Sequence, residues 1–183
     1  LVLDDALNQK MAVFTGIGKT AQVRDAKIID RSKTHDLALL KLSGRKLPAM
    51  VLANSNYLDE GSDIAFTGFP IGAVLGLYPV THKGIISALT PVVIPVDDAR
   101  QISIKMLKRM RDPYMVYQLD AVAYPGNSGS ALYNINNGEV IGVINKVFVQ
   151  ETKESVISKP SGITYAIPVK YVHELLLKNG IKL

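Results

Sequence analysis

Short runs of β-branched and aromatic residues, each closed by glycine, proline, asparagine or serine, recur along this chain, and that pattern leaves an all-β architecture as the natural reading. Strands are predicted over Lys10–Phe14, Ala21–Ile29 and Leu37–Leu42, then over Asp63–Phe69, Leu77–Leu89, Tyr114–Leu119, Gly129–Tyr133, Glu139–Phe148 and Gly162–Ala166. Asn137-Gly138 falls between two of them and signals a tight hairpin turn. The stretch Ser43–Gly61 carries proline, asparagine and serine with little periodicity, and reads as the linker between two lobes. Only the end differs. Pro168 is suited to the first position of a helix, Val169, Val172, Leu175 and Leu176 form one apolar stripe, and Asn179-Gly180 supplies a stop. The predicted divisions are 1–60, the remainder of a first barrel plus linker, 61–168, a second barrel, and 169–183, a terminal helix.

With 183 residues, 48% of them hydrophobic and 20% charged, the chain can bury enough apolar surface to offset its conformational entropy. It has no cysteine, which excludes disulfides, thiolate zinc sites and cysteine catalysis within it. No apolar run approaches the roughly 18 residues that a membrane-spanning helix needs, and no charged-then-apolar leader opens the chain. The net charge of +5 permits attraction to anionic partners without specifying one. Nucleic acid is not expected as a partner. The segment Asp97–Asp112 holds Arg100, Lys105, Lys108, Arg109 and Arg111, with Ile102, Met106 and Met110 four apart. It reads as a solvated insertion; a basic patch for an acidic substrate or a membrane lipid is the alternative.

Chemistry concentrates in Leu119–Leu132, around Pro125-Gly126-Asn127-Ser128-Gly129. A serine between glycines, after one strand and before another, can stand exposed on a sharp turn, and glycine lets backbone N–H groups approach one point. Such donors stabilise a developing oxyanion. A serine hydroxyl becomes a good nucleophile only with a base beside it, itself oriented by a third group. Asp36, placed just before the apolar strand Leu37–Leu42, sits at the rim of a core where a carboxylate can be buried and hydrogen-bonded, and is the candidate for that third group.

The pairing of Asp36-Leu37-Ala38-Leu39-Leu40-Lys41 with Pro125-Gly126-Asn127-Ser128-Gly129 resembles the protease domain of the HtrA (DegP-like) branch of the trypsin-like, chymotrypsin-fold serine proteases. Gly68-Phe69-Pro70, Gly84-Ile85-Ile86-Ser87-Ala88-Leu89 and Gly162-Ile163-Thr164-Tyr165-Ala166-Ile167-Pro168 are weaker echoes in the same order, so the resemblance runs from about Lys10 to Val169. It implies a two-lobe antiparallel β-barrel with a C-terminal helix, the first barrel incomplete in these 183 residues. It also implies a serine endopeptidase acting on polypeptides, with no cofactor and no metal. Ser128 would be the nucleophile, Asp36 the orienting acid, and the amides of Gly126 and Ser128 the oxyanion hole. In the trypsin-type template the acid and the nucleophile lie about 93 positions apart; here the separation is 92. The first specificity pocket would be walled by Val122, Ala123 and Tyr124 and by Ile144, Asn145 and Lys146. Val122 suggests small or medium aliphatic side chains, whereas the Lys146 ammonium would favour an acidic one. A homo-oligomer is compatible with the resemblance, and a periplasmic or exterior location is implied by it.

The chain departs from that pattern in places. Ser130 and Ala131 stand where the family commonly has glycine and proline, and no PDZ domain is expected within the chain. The family's histidine base belongs upstream of Asp36, near residue 1, where the chain reads Leu1-Val2-Leu3-Asp4-Asp5-Ala6 with leucine in its place. Either the base lies in a segment outside these residues, or Leu1 replaces it and the chain is a catalytically inactive binding module. The first is preferred, because a barrel lacking its first strands exposes edges and core. The three histidines have structural readings. His35 is turned away from its neighbour Asp36 by strand alternation, His82 is a surface or half-buried strand residue, and His173 is solvent-facing on the helix. An α/β-hydrolase is opposed by Ser130, which breaks the last glycine of G-x-S-x-G, and by hairpins where a helix should follow. Gly16-Ile17-Gly18-Lys19-Thr20 lacks the glycine that a phosphate loop needs at Val13, and reads as a hairpin turn.

Overall fold

The computed structural model describes residues 11–70, 78–92, 113–145 and 163–182. Leu1–Ala6, the basic segment 97–112 and Lys146 therefore lie outside the described residues. Among the described residues nine strands form two antiparallel units. The first is a three-stranded sheet of β1 (Met11–Thr15), β2 (Gln22–Ser32) and β3 (Leu37–Leu42), in that order. The β1–β2 turn holds a 3-10 turn over Gly18–Thr20, where Thr20 Oγ1 donates to the Ile17 carbonyl at 2.8 Å. The second unit is a closed six-stranded barrel of β4 (Asp63–Gly68), β5 (Val80–Pro91), β6 (Met115–Asp120), β7 (Ala131–Asn134), β8 (Val140–Asn145) and β9 (Ile163–Pro168), ordered β4-β5-β6-β9-β8-β7. The helix α1 (Val169–Lys178) follows directly from β9.

Alternation along the strands fills the barrel. Ile64 and Phe66 of β4, Ile86 of β5, Leu119 of β6 and Leu132 of β7 meet in one core, all essentially without solvent contact. Each such side chain contributes roughly 1.5–3 kcal/mol on removal from water. The first sheet is covered less completely: Phe14 and Val23 remain 57% and 61% exposed. A second cluster joins the units, with Leu37 of β3, Val116 of β6, Ile167 of β9 and Tyr171 and Leu175 of α1 packed together. Tyr171 thus belongs to the buried stripe of the helix beside Val169 and Leu175. Pro168 closes β9 and stands at the helix N-cap, one position earlier than its predicted place. At the other end Asn179 Nδ2 donates to the Leu175 carbonyl at 2.8 Å and to Asp30 Oδ2 at 2.9 Å, and Lys178 Nζ lies 2.7 Å from the same carboxylate. The helix C-terminus is therefore fastened to β2.

Residues 43–61 form no named strand, yet part of the stretch is strapped onto the barrel rather than free. Ala53 donates its amide to Val140, Val140 donates to Val51, and Leu58 donates to the Tyr117 hydroxyl at 2.9 Å. This strap also corrects the solvent-facing expectation for His173, which is half-buried and donates Nε2 to the Ala53 carbonyl at 2.8 Å. The Asn137-Gly138 hairpin is built over more than two residues: Gly138 donates its amide to Asn134, and Asn134 donates to Glu139.

Candidate active site

Between the end of β6 at Asp120 and the start of β7 at Ala131 the chain makes the turn that carries Ser128. Gly126 and Gly129 adopt φ of 102° and 92°, values that a side chain would strain, so both glycines are needed for the turn to close around the serine. Backbone bonds pin it. Asn127 donates to Tyr124 at 3.0 Å, Ser130 donates to Asn127 at 3.0 Å, and Gly129 donates to Ile144 of β8 at 2.8 Å. Ile144 donates back to Ser130 at 2.9 Å. The amides of Gly126 and Ser128 donate to no backbone carbonyl among the described residues. Ser128 itself is exposed.

The residue before it behaves in the opposite way. Asn127 is fully buried, and neither Oδ1 nor Nδ2 has a hydrogen-bond partner among the described residues. Its berth exists because residue 68 at the end of β4 is glycine. A Cβ there would collide with Asn127 Oδ1 and stand 2.6 Å from Ser130 Oγ. The Gly68-Phe69-Pro70 signature had this physical content, but the burial of Asn127 left no mark in the sequence, where asparagine reads as a turn former.

The specificity wall predicted over 122–124 hangs from β9. Thr164, buried, donates its hydroxyl to the Ala121 carbonyl, and its Oγ1 accepts the Ala123 amide at 3.1 Å. Val122 and Tyr124 are 39% and 44% exposed and Ala123 is half-buried. His82, half-buried on β5, lies behind this wall, its ring stacked on Phe66 at 5.0 Å and tilted against Tyr124 at 5.8 Å. On the opposite wall, predicted over 144–146, Ile144 turns its side chain into the barrel core and meets the Ser128 turn only through its backbone. Asn145 faces the other way, as strand alternation requires.

There it meets Asp36. Asn145 Nδ2 donates to Asp36 Oδ2 at 3.2 Å, a bond between the first sheet and the barrel across 109 positions of sequence. Asp36 has φ of 50°, a left-handed backbone unusual for a non-glycine residue, and lies in the turn just before β3. It is exposed rather than buried, because the turn lifts it clear of the strand whose next residue, Leu37, enters the core. His35 departs to the far side, where Nδ1 shares a 3.1 Å hydrogen bond with Ser32 Oγ and the ring stacks on Tyr171 at 4.1 Å. Burial first, then hydrogen bonding with Tyr57, pushes the Tyr171 phenol far above its ordinary value, so it is neutral throughout the working range of pH. Among the described residues no three His, Asp or Glu gather as a metal site, and no described helix is long and apolar enough to cross a membrane.

The structure therefore brings Asp36 and Asn145 into contact, holds Ser128 exposed on its glycine turn, and ties that turn to β8. Residues 2–143 match the family model of the trypsin-like peptidase domain. A probable periplasmic serine endoprotease DegP-like of Pseudomonas putida is 32% identical over 159 residues, 85% of this chain and 28% of that relative. A serine protease Do-like HtrA of Lactobacillus helveticus is 31% identical over 174 residues, 92% of this chain and 37% of that relative. The chain thus spans about a third or less of the length of most such relatives. Among solved structures, the HtrA-type protease AlgW with a decapeptide superposes with a TM-score of 0.63 at 28% identity, over 87% of this chain and 41% of that one.

Proposed function

The chain belongs to the trypsin-like peptidase family, and from that premise we propose that it is the core of an HtrA-like serine endopeptidase that cleaves polypeptides through an acyl-enzyme on Ser128. The observation that carries the reading is an exposed Ser128 on a glycine turn flanked by two backbone amides without backbone acceptors. Ser128 Oγ attacks the scissile carbonyl carbon while a histidine base takes its proton, and the carbonyl oxygen becomes an oxyanion held by the Gly126 and Ser128 amides. Collapse expels the amine, which receives the same proton from the imidazolium, and water then releases the acid by the reverse sequence. Asp36, held by Asn145, orients that imidazole. The base itself is assigned to a histidine outside the 183 residues, since His35, His82 and His173 pack against Tyr171, Phe66 and the Ala53 carbonyl respectively.

Substrate side chains would rest against Val122 to Tyr124, an apolar wall suited to small or medium aliphatic groups. The relatives named periplasmic support a location outside the cytoplasm for this protein too. The test is a fluorophosphonate probe applied to the longest native form, with the adduct mapped by mass spectrometry. Labelling at Ser128 that is lost in Ser128→Ala is the expected result. A folded protein with an intact N-terminus that takes no label would overturn the enzyme reading and leave a protease-fold binding module.

A further inference from the structure

Taking Ser128 as nucleophile and Asp36 as its acid, a reading on which this inference rests, we propose that Tyr171 of the C-terminal helix is the positioning residue for Asp36. Its ring, stacked on His35, holds the turn that presents the carboxylate. Asp36 does little to fix its own place. It is exposed, and its backbone is left-handed at φ 50°. A non-glycine residue keeps that conformation only where its surroundings impose it. Asn145 reaches the carboxylate at 3.2 Å, but this contact is open to solvent and holds the side chain rather than the backbone.

The backbone is held through the residues on either side. Leu37 enters the cluster in which Tyr171 and Leu175 of α1 pack with β6 and β9. His35 lays its ring on Tyr171, with centroids 4.1 Å and planes 26° apart, and meets the edge of Tyr114 at 5.0 Å. Both neighbours of Asp36 are thus lodged against the cluster that contains Tyr171. Tyr171 is 7% exposed and is fixed at its far end, where its hydroxyl accepts the Met115 amide of β6 at 2.9 Å. The helix is fixed as well, since Lys178 and Asn179 hold Asp30, six residues before Asp36. A path of contacts therefore runs from the second barrel through Tyr171 and His35 to Asp36. The hydroxyl ties the ring to β6, while the flat face of the ring sets His35, and an aliphatic side chain offers no such face.

The test follows fluorophosphonate labelling of Ser128 in the longest native form, resolved into a maximal rate and an apparent affinity, beside Tm. Tyr171→Leu removes the ring and should cut the maximal rate about 10–100-fold with the apparent affinity unchanged. Tyr171→Phe keeps the ring and deletes the acceptor of the Met115 amide; it should lower Tm by roughly 2–6 °C and keep the rate near that of wild type. Val169→Ala, on the same helix but packed into the barrel core, should also lower Tm without loss of rate. A residue that served stability alone would make the rate follow Tm across all three. In an Asp36→Asn background Tyr171→Leu should slow labelling no further, because both act through one group. If Tyr171→Leu fails to fold by circular dichroism, His35→Ala against His35→Phe makes the same comparison from the other ring of the stack. A wild-type rate in the folded ringless variant overturns the assignment, as does a full additional loss in the Asp36→Asn background. A wild type that takes no label, or an Asp36→Asn variant labelled at the wild-type rate, instead overturns the roles of Ser128 or Asp36, and the positioning role with them.

Discussion

Replacing Gly68 with alanine tests how closely the Ser128 turn depends on a residue 60 positions away. The new Cβ would lie 2.6 Å from Ser130 Oγ and 3.2 Å from Asn127 Cγ, and closer still to Asn127 Oδ1. Ordinary contact begins near 3.4 Å, so about 0.8 Å or more must be recovered. Ser130 can rotate its hydroxyl away, but Asn127 has no solvent side to retreat to. The strain therefore passes into the backbone of Gly126–Gly129. Overpacking of this kind costs about 1–3 kcal/mol, and in a chain of this size each kcal/mol lowers Tm by about 2–4 °C. A displacement near 1 Å at the nucleophile costs about a hundredfold in rate. Gly68→Ala should accordingly lower Tm by roughly 2–12 °C and slow fluorophosphonate labelling of Ser128 by about 10–100-fold. The double variant Gly68→Ala, Asn127→Ala should recover at least about 1 kcal/mol of the loss by non-additivity. A Tm within 1 °C of wild type together with undiminished labelling would refute the reasoning.

Three further predictions concern the surrounding supports. Thr164→Val removes a buried hydroxyl that serves both Ala121 and Ala123, and should destabilise by about 1–3 kcal/mol in urea titration while raising KM more than it changes kcat. Asn145→Ala deletes the donor to Asp36; since this bond is exposed, Tm should move by less than about 3 °C while kcat falls several-fold, and an unchanged kcat would show that the bond has no part in positioning the acid. Lys178 first, then Asn179 and the Arg31 amide, hold the Asp30 carboxyl down at about 2, from an ordinary value of 3.8. Because the folded value is the lower one, the stabilisation is present above about pH 4 and is lost as pH falls toward 2. The Tm difference between wild type and Asp30→Asn should shrink over that window, and a difference independent of pH would count against the contact.

The strands were legible because β4 to β9 alternate or run apolar in stretches that turn residues interrupt, and because Leu37–Leu42 is apolar at every position but Lys41. The Ser128 turn was legible for a local reason as well: glycines at 126 and 129 announce a backbone that other residues resist. What stayed hidden depends on contacts between distant residues. Nothing near Asn145 marks it as the partner of Asp36, and strand alternation alone does not say what an outward-facing asparagine will meet. Ile144 looked like part of a pocket wall until the barrel closed and gave its side chain to the core. His173 lies on the polar side of a helix, and only the strap through Ala53 takes it from solvent. Asn127 is the extreme case, a polar turn residue drawn inside because Gly68 leaves a space for it.

If Ser128 and Asp36 act as proposed, the bond from Asn145 to Asp36 bears on when the site is assembled. On a ribosome adding about 5–20 residues per second, the 109 positions between them take roughly 5–20 s to emerge. The half bearing Asp36 is made first and waits unpaired; the half bearing Ser128 arrives late, and its turn is braced by β8, the same strand that carries Asn145. A nascent or partly unfolded chain thus holds the pieces of the site without their assembly. On the proposed reading, the long sequence separation defers assembly of the site until both halves of the chain have folded.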